Sequence, residues 1–208
     1  MILALQIWLL GTLFGVVLFF LTGAATLQSI LSILPSPVVE GTFGIFLKNS
    51  LASLTTIYLG LVLCLVELRI YEGVSRETYA FLEGLTSPLY RFLGWLDRRF
   101  QELRPFYRSC YFYLAFVPSL SLFVNGMVLG LLLQLDFRSL YPHAIFEIPA
   151  ILASAIIGFS ILGELKAPIE SGSLYRLKKE MQKAFKDKVS LVIVIQIVLL
   201  VAAILESS

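Results

Sequence analysis

Five stretches of this chain stay apolar long enough to cross a hydrocarbon layer, and polar positions mark the breaks between them. A helix needs about 20 apolar residues to span roughly 30 Å of hydrocarbon. No charged side chain occurs before Glu40, so a first span fits between Ile2 and Leu31 and is placed at about 4–26. The uncharged run Asn49 to Val66, extended outward through Gly44 to Leu47, predicts a second span at about 44–66. Ser109 to Leu135 predicts a third at about 110–135. Ser139 to Gly163, interrupted only by His143 and Glu147, predicts a fourth at about 142–163. Val189 to Leu205 predicts a fifth at about 189–205. The fold class expected is all-α: a polytopic membrane helical bundle of five transmembrane helices, forming a single membrane domain over 1–208. A cleaved signal peptide is the rival reading of the first run. It fits poorly, because no basic residue precedes the run and the run outlasts a signal-peptide core.

Two connectors carry a pattern of their own. In Leu89, Phe92, Leu93, Leu96, Phe100 and Leu103 apolar positions recur at helical spacing, with Arg91, Asp97, Arg98, Arg99 and Glu102 opposite and Trp95 near the middle. This predicts an interfacial amphipathic helix at about 88–104. Its basic residues Arg91, Arg98 and Arg99 would meet anionic lipid head groups, or the helix would simply pack under the bundle. Tyr175 to Lys188 is a shorter basic amphipathic stretch, read as the lead-in to the fifth span.

Composition agrees with the pattern. Hydrophobic residues make up 58% and charged residues 14%, against about 25% charged in a typical soluble domain. The mean hydropathy is +0.89, so lipid must replace water over much of the surface. A net charge of +2 argues against nucleic acid as a partner, since phosphate binding needs a basic face. The placement of the charges says more. Arg69, Arg76, Arg91, Arg98, Arg99, Arg104 and Arg108 lie between the second and third spans; Lys166, Arg176, Lys178, Lys179, Lys183, Lys186 and Lys188 lie between the fourth and fifth. Only Lys48 and Arg138 fall elsewhere. Basic connectors face the cytoplasm, which predicts a cytoplasmic amino terminus, an extracytoplasmic carboxy terminus and residence in the cell membrane.

Candidate chemistry is confined to polar residues within the spans. An ionisable residue there is costly and marks a possible functional site. Glu147 is the main one, with His143 one turn before it and Ala150, Ser154 and Gly158 continuing the face. Small residues on that face let another helix approach, so Glu147 is expected to point at a neighbour. Pro149 predicts a kink or broken turn near Ile145, and Pro142 is placed to start the helix. The second span carries Asn49, Ser53, Thr56 and Gly60 on one stripe; the third carries Asn125, Gly126 and Gly130. Asn49, Asn125 and Glu147 fall in the same half of the membrane, where they could converge, with Lys48 the nearest plausible cation for Glu147. Interhelical hydrogen bonds that fix packing are the plainer reading; a proton, ion or small-ligand site is the sharper one. For catalysis a nucleophile, a third metal ligand or a second carboxylate is missing: HExxH is absent, His143 is the only histidine, and no phosphate-binding glycine loop is visible. No cofactor, metal or catalytic residue is therefore expected. Cys64 and Cys110 lie at the ends of apolar runs without metal-ligand spacing and read as small buried hydrophobes, not a disulfide.

The segment Tyr141-Pro-His-Ala-Ile-Phe-Glu-Ile-Pro-Ala resembles the fourth-span signature of the stage II sporulation protein M (SpoIIM-like) family. Pro142, His143, Glu147, Pro149 and Ala150 match it; Ala144 stands where glycine is usual. Asn125, Gly126 and Gly130 resemble the family's Asn-Gly segment, and Asn49 to Gly60 its asparagine-bearing second span. The likeness covers roughly 40–165. It implies a helical multi-pass protein of the prokaryotic cell membrane, and for the sporulation member a membrane anchor beside peptidoglycan-degrading enzymes. The function expected is thus a non-enzymatic scaffold that positions other membrane or cell-surface proteins, with a homo-oligomer possible. The alternative is a transporter or channel subunit using Glu147, His143 and Asn125 as a proton or ion site.

Overall fold

The computed structural model describes residues 2–22, 41–75, 103, 105–135 and 144–207. They form six helices in the order α1 (Ile2–Thr22), α2 (Thr42–Gly73), α3 (Pro105–Leu135), α4 (Ala144–Ser171), α5 (Leu174–Asp187) and α6 (Val189–Ser207). No strand occurs among the described residues. Five stretches are long and apolar enough to cross a membrane: Ile2–Thr22, Thr42–Gly73, Phe106–Leu131, Ile145–Ser171 and Leu174–Leu205. The all-α membrane bundle predicted from the apolar runs is therefore the fold. Most of the interfacial helix expected at 88–104, including Arg91, Arg98 and Arg99, lies outside the described residues, as do Pro142 and His143.

Three helices outrun the spans predicted for them. The first charged residue bounds an apolar run, but helix formation does not stop there. Glu67, Leu68, Arg69 and Glu72 are good helix formers, and Leu68 is buried, so α2 continues to Gly73. α3 begins at Pro105, a residue suited to a first helical position. α4 continues to Ser171 with Leu165 and Ile169 buried. It ends because Gly172 takes a positive φ of 62°, the left-handed conformation that glycine enters without a Cβ penalty. The Gly172 amide donates to the Ile169 carbonyl at 3.1 Å. Ser173 then caps α5, its hydroxyl accepting from the Arg176 amide at 3.5 Å. The stretch before the fifth span is thus a full helical hairpin, which the apolar runs alone do not reveal. Of the kink or broken turn expected near Ile145, no break in the helix is seen: α4 is helical throughout from Ala144. So near the helix start, the proline removes only one of the first backbone bonds.

The described helices divide into two compact units. Unit 1 contains residues 1–57, 118–157 and 189–208. Its interior is built from small and aliphatic residues, among them Leu122, Ala150, Ala155, Leu199, Ala202 and Ala203. Within it α1 crosses α3 on two pairs of glycines. A Cβ at Gly11 would lie 2.2 Å from the Phe123 carbonyl oxygen, and one at Gly15 2.1 Å from that of Met127. Reciprocally, a Cβ at Gly126 or Gly130 would lie 2.1 Å from the Trp8 or Thr12 carbonyl oxygen. No side chain fits between these backbones, which is how small-xxx-small pairs bring membrane helices into contact. Phe14 and Phe123 flank the crossing with ring centroids 5.6 Å apart.

Unit 2 contains residues 58–117 and 158–188. Leu61, Phe106, Leu114, Ile161, Leu165 and Met181 are among its buried residues. Cys64 and Cys110 are free and buried, as expected, and the Cys64 thiol contacts the Cys110 carbonyl oxygen at 3.4 Å. The Tyr107 hydroxyl donates to the Gly172 carbonyl at 2.6 Å, tying α3 to the turn of the hairpin. Ion pairs Lys178–Glu72 and Lys188–Glu164 fasten the two ends of α5.

Candidate functional site

The polar residues of unit 1 form hydrogen-bonded sets contributed by four helices. Spacings of four and three residues place Asn49, Ser53 and Thr56 on one side of α2, with Ser50 beside them. α4 presents Glu147, Ala150 and Ser154; α3 presents Ser121 and Asn125; α6 presents Gln196. Ser53, Thr56 and Ser154 are buried, whereas Asn49 and Glu147 are half-buried.

Asn49 donates through Nδ2 to Glu147 Oε1. This joins α2 to α4 and meets the expectation that Glu147 points at another helix. Lys48, the cation expected near it, is exposed and makes no ion pair among the described residues. A carboxamide can donate without carrying a second charge into an apolar interior, so the neighbouring residue takes the place expected for the lysine.

The hydroxyls impose an order on the rest. A hydroxyl has one hydrogen to give. Ser154 gives its hydrogen to the Ala150 carbonyl at 2.7 Å, so in the 2.8 Å contact between Ser53 and Ser154 the donor is Ser53. Ser53 in turn accepts from Gln196 Nε2 at 3.4 Å, and Gln196 Oε1 accepts from the Ser50 hydroxyl at 2.5 Å. A single directed chain therefore runs from Ser50 through Gln196, Ser53 and Ser154 to the Ala150 carbonyl, linking α2, α6 and α4. The same reasoning makes Ser121 the donor to Thr56 at 2.5 Å, because Thr56 gives its hydrogen to the Ala52 carbonyl. Asn125 turns back onto its own helix, donating to the Ser121 carbonyl at 2.8 Å. It is thus one link from Thr56, while Asn49 and Glu147 bond to each other. Gly126 and Gly130 serve the crossing with α1, and Pro149 is exposed on α4.

Three members of this cluster escape the sequence patterns. Gln196 is the only carboxamide in the fifth apolar run, and that isolation is a usable signal. Ser50 and Ser121 give none, since serines are tolerated throughout membrane helices. Gly11 and Gly15 repeat the spacing of Gly126 and Gly130, a likeness by which the two pairs can be matched. Among the described residues no three His, Cys, Asp or Glu side chains come together as a metal site would require.

The comparisons with known proteins fall on the second half of the chain. None of the curated proteins and none of the solved structures compared is significantly similar to it. A family model described as Stage II sporulation protein M matches residues 110–208. That range starts later than the 40–165 suggested by the short motifs, leaves out Asn49 to Gly60, and continues through the fifth apolar run. It contains Asn125, Gly126, Gly130, Glu147, Pro149 and Gln196, and over that range the chain is similar to the SpoIIM family.

Proposed function

We propose that this SpoIIM-like membrane protein is a non-enzymatic scaffold that holds partner proteins at the cell membrane, with its amino terminus in the cytoplasm. The observation that carries this reading is the directed hydrogen-bond chain in unit 1. Its hydroxyl hydrogens are committed to neighbouring side chains or carbonyls, so the cluster suits holding helices together more than turning over a substrate. The outward faces are rich in large apolar side chains, such as Leu9, Leu13, Phe20, Ile193 and Ile197. In a membrane such faces meet lipid or other helices. Extraction of the tagged chain in mild detergent, with mass determination of whatever travels with it, tests the proposal. A stoichiometric partner or a homo-oligomer is expected; a monodisperse monomer without partners overturns it.

One observation favours a second reading. Glu147 is an ionisable residue in an apolar helix, which marks it as a candidate proton or ion station. Liposomes containing the protein and a pH-sensitive dye separate the two. Flux that disappears in Glu147→Gln would support the transporter; absence of flux leaves the scaffold.

A further inference from the structure

The outer side of α5 carries four cations that form no ion pair among the described residues. Leu177, Met181 and Ala184, four and three residues apart, are buried. Arg176, Lys179, Lys183 and Lys186, three, four and three residues apart, fall on the opposite side, and all are exposed. The other two lysines of this segment are neutralised, Lys178 by Glu72 and Lys188 by Glu164. None of the four stripe cations takes part in an ion pair among the described residues. Glu180 and Asp187 flank the stripe on one side and do not interrupt it. Like charges three and four residues apart on a helix repel one another, so the stripe is a surface that an anionic partner would stabilise.

The position of the stripe along the chain selects the partner. Val189 opens an uncharged run immediately after α5. Lys186 and Lys183 lie three and six residues before that run begins. Head-group layers add roughly 5–8 Å to each face of the hydrocarbon, a distance that long lysine side chains bridge by snorkelling. The cavity of about 480 Å³ between the end of α4 and the start of α5 is a weaker candidate. Glu164 and Glu180 line it together with Arg176 and Lys179, and two carboxylates in its wall make it a poorer seat for an anion.

We propose that the Arg176–Lys179–Lys183–Lys186 stripe of α5 is a contact for anionic phospholipid head groups, with Lys183 and Lys186 nearest the lipid phosphates. The contact does not depend on the polar cluster of unit 1 or on the scaffold reading. The full chain, placed in nanodiscs of mixed phosphatidylglycerol and phosphatidylcholine, should retain phosphatidylglycerol preferentially when the bound lipids are counted by native mass spectrometry. Preference should fall by about fivefold for each cation removed, and therefore strongly in K179Q/K183Q/K186Q, while K179R/K183R/K186R keeps it. Raising salt on the unmodified protein should weaken the preference as well, a readout that stands even if the glutamine variant does not fold. An unchanged preference in the glutamine variant, or at high salt, overturns the proposal. So does competition by inorganic phosphate as effective as that of the lipid, or an acidic protein captured by the stripe while lipid retention is unaltered.

Discussion

Glu147 meets a carboxamide, and the cost of losing either side chain depends on that choice of partner. Replacing Glu147 by leucine removes an interhelical hydrogen bond and strands the Asn49 amide. A loss of about 1–2 kcal/mol in stability is expected, seen as lowered resistance to denaturant in detergent, with partner capture retained if the scaffold reading holds. Glu147→Gln keeps a carbonyl acceptor and should lose less. An unchanged stability with lost partner capture would move Glu147 from packing to function. Gln196→Leu should be at least as harmful, because one side chain there both accepts from Ser50 and donates to Ser53. Asn49 and Glu147 are legible as candidates because each is a rare polar residue in an apolar run. The partner of Glu147 is not, because Coulomb attraction points to Lys48 unless the expense of bringing a lysine into an apolar interior is weighed against it.

At the scale of elements, spans are legible and ends are not. Apolar runs locate the part of a helix that must avoid water, and among the described residues all five prove helical. They say nothing of where a helix ends once it has passed the first charged residue, so the runs draw α2 and α4 too short and reduce the α4–α5 hairpin to a lead-in. Its markers are present: a glycine then a serine at 172–173, with an amphipathic repeat after them. Tyr107→Phe tests how firmly the hairpin is held. It removes the hydrogen bond to the Gly172 carbonyl, and about 1 kcal/mol of stability should go with it, with faster proteolysis at the turn as the readout. The α1–α3 crossing is stricter. Gly126→Val or Gly130→Val drives a side chain into a carbonyl oxygen of α1. Either should cost about 1–3 kcal/mol, and cross-linking between cysteines placed on α1 and α3 should fall with it.

For the molecule as a whole, the decisive expectation concerns threading. The basic connectors predict that α5 faces the cytoplasm and that the carboxy terminus does not. Cys64 and Cys110 are sealed in the interior, so cysteines introduced at Lys183 or Ser207 should report with little background. An impermeant maleimide applied to intact cells should label Ser207→Cys and leave Lys183→Cys unlabelled until the membrane is opened. The reverse pattern would overturn the threading and the cytoplasmic placement of the amino terminus.

The two units also differ in what solvent can do to them. The α1–α3 crossing rests on backbone against backbone, with no titratable or ionic group at the contact, whereas both ends of α5 are fastened by partly exposed ion pairs. Concentrated electrolyte should therefore loosen the hairpin while the first helix stays seated, and hydrogen exchange would resolve the two as separate openings, one responsive to ionic strength and one indifferent to it.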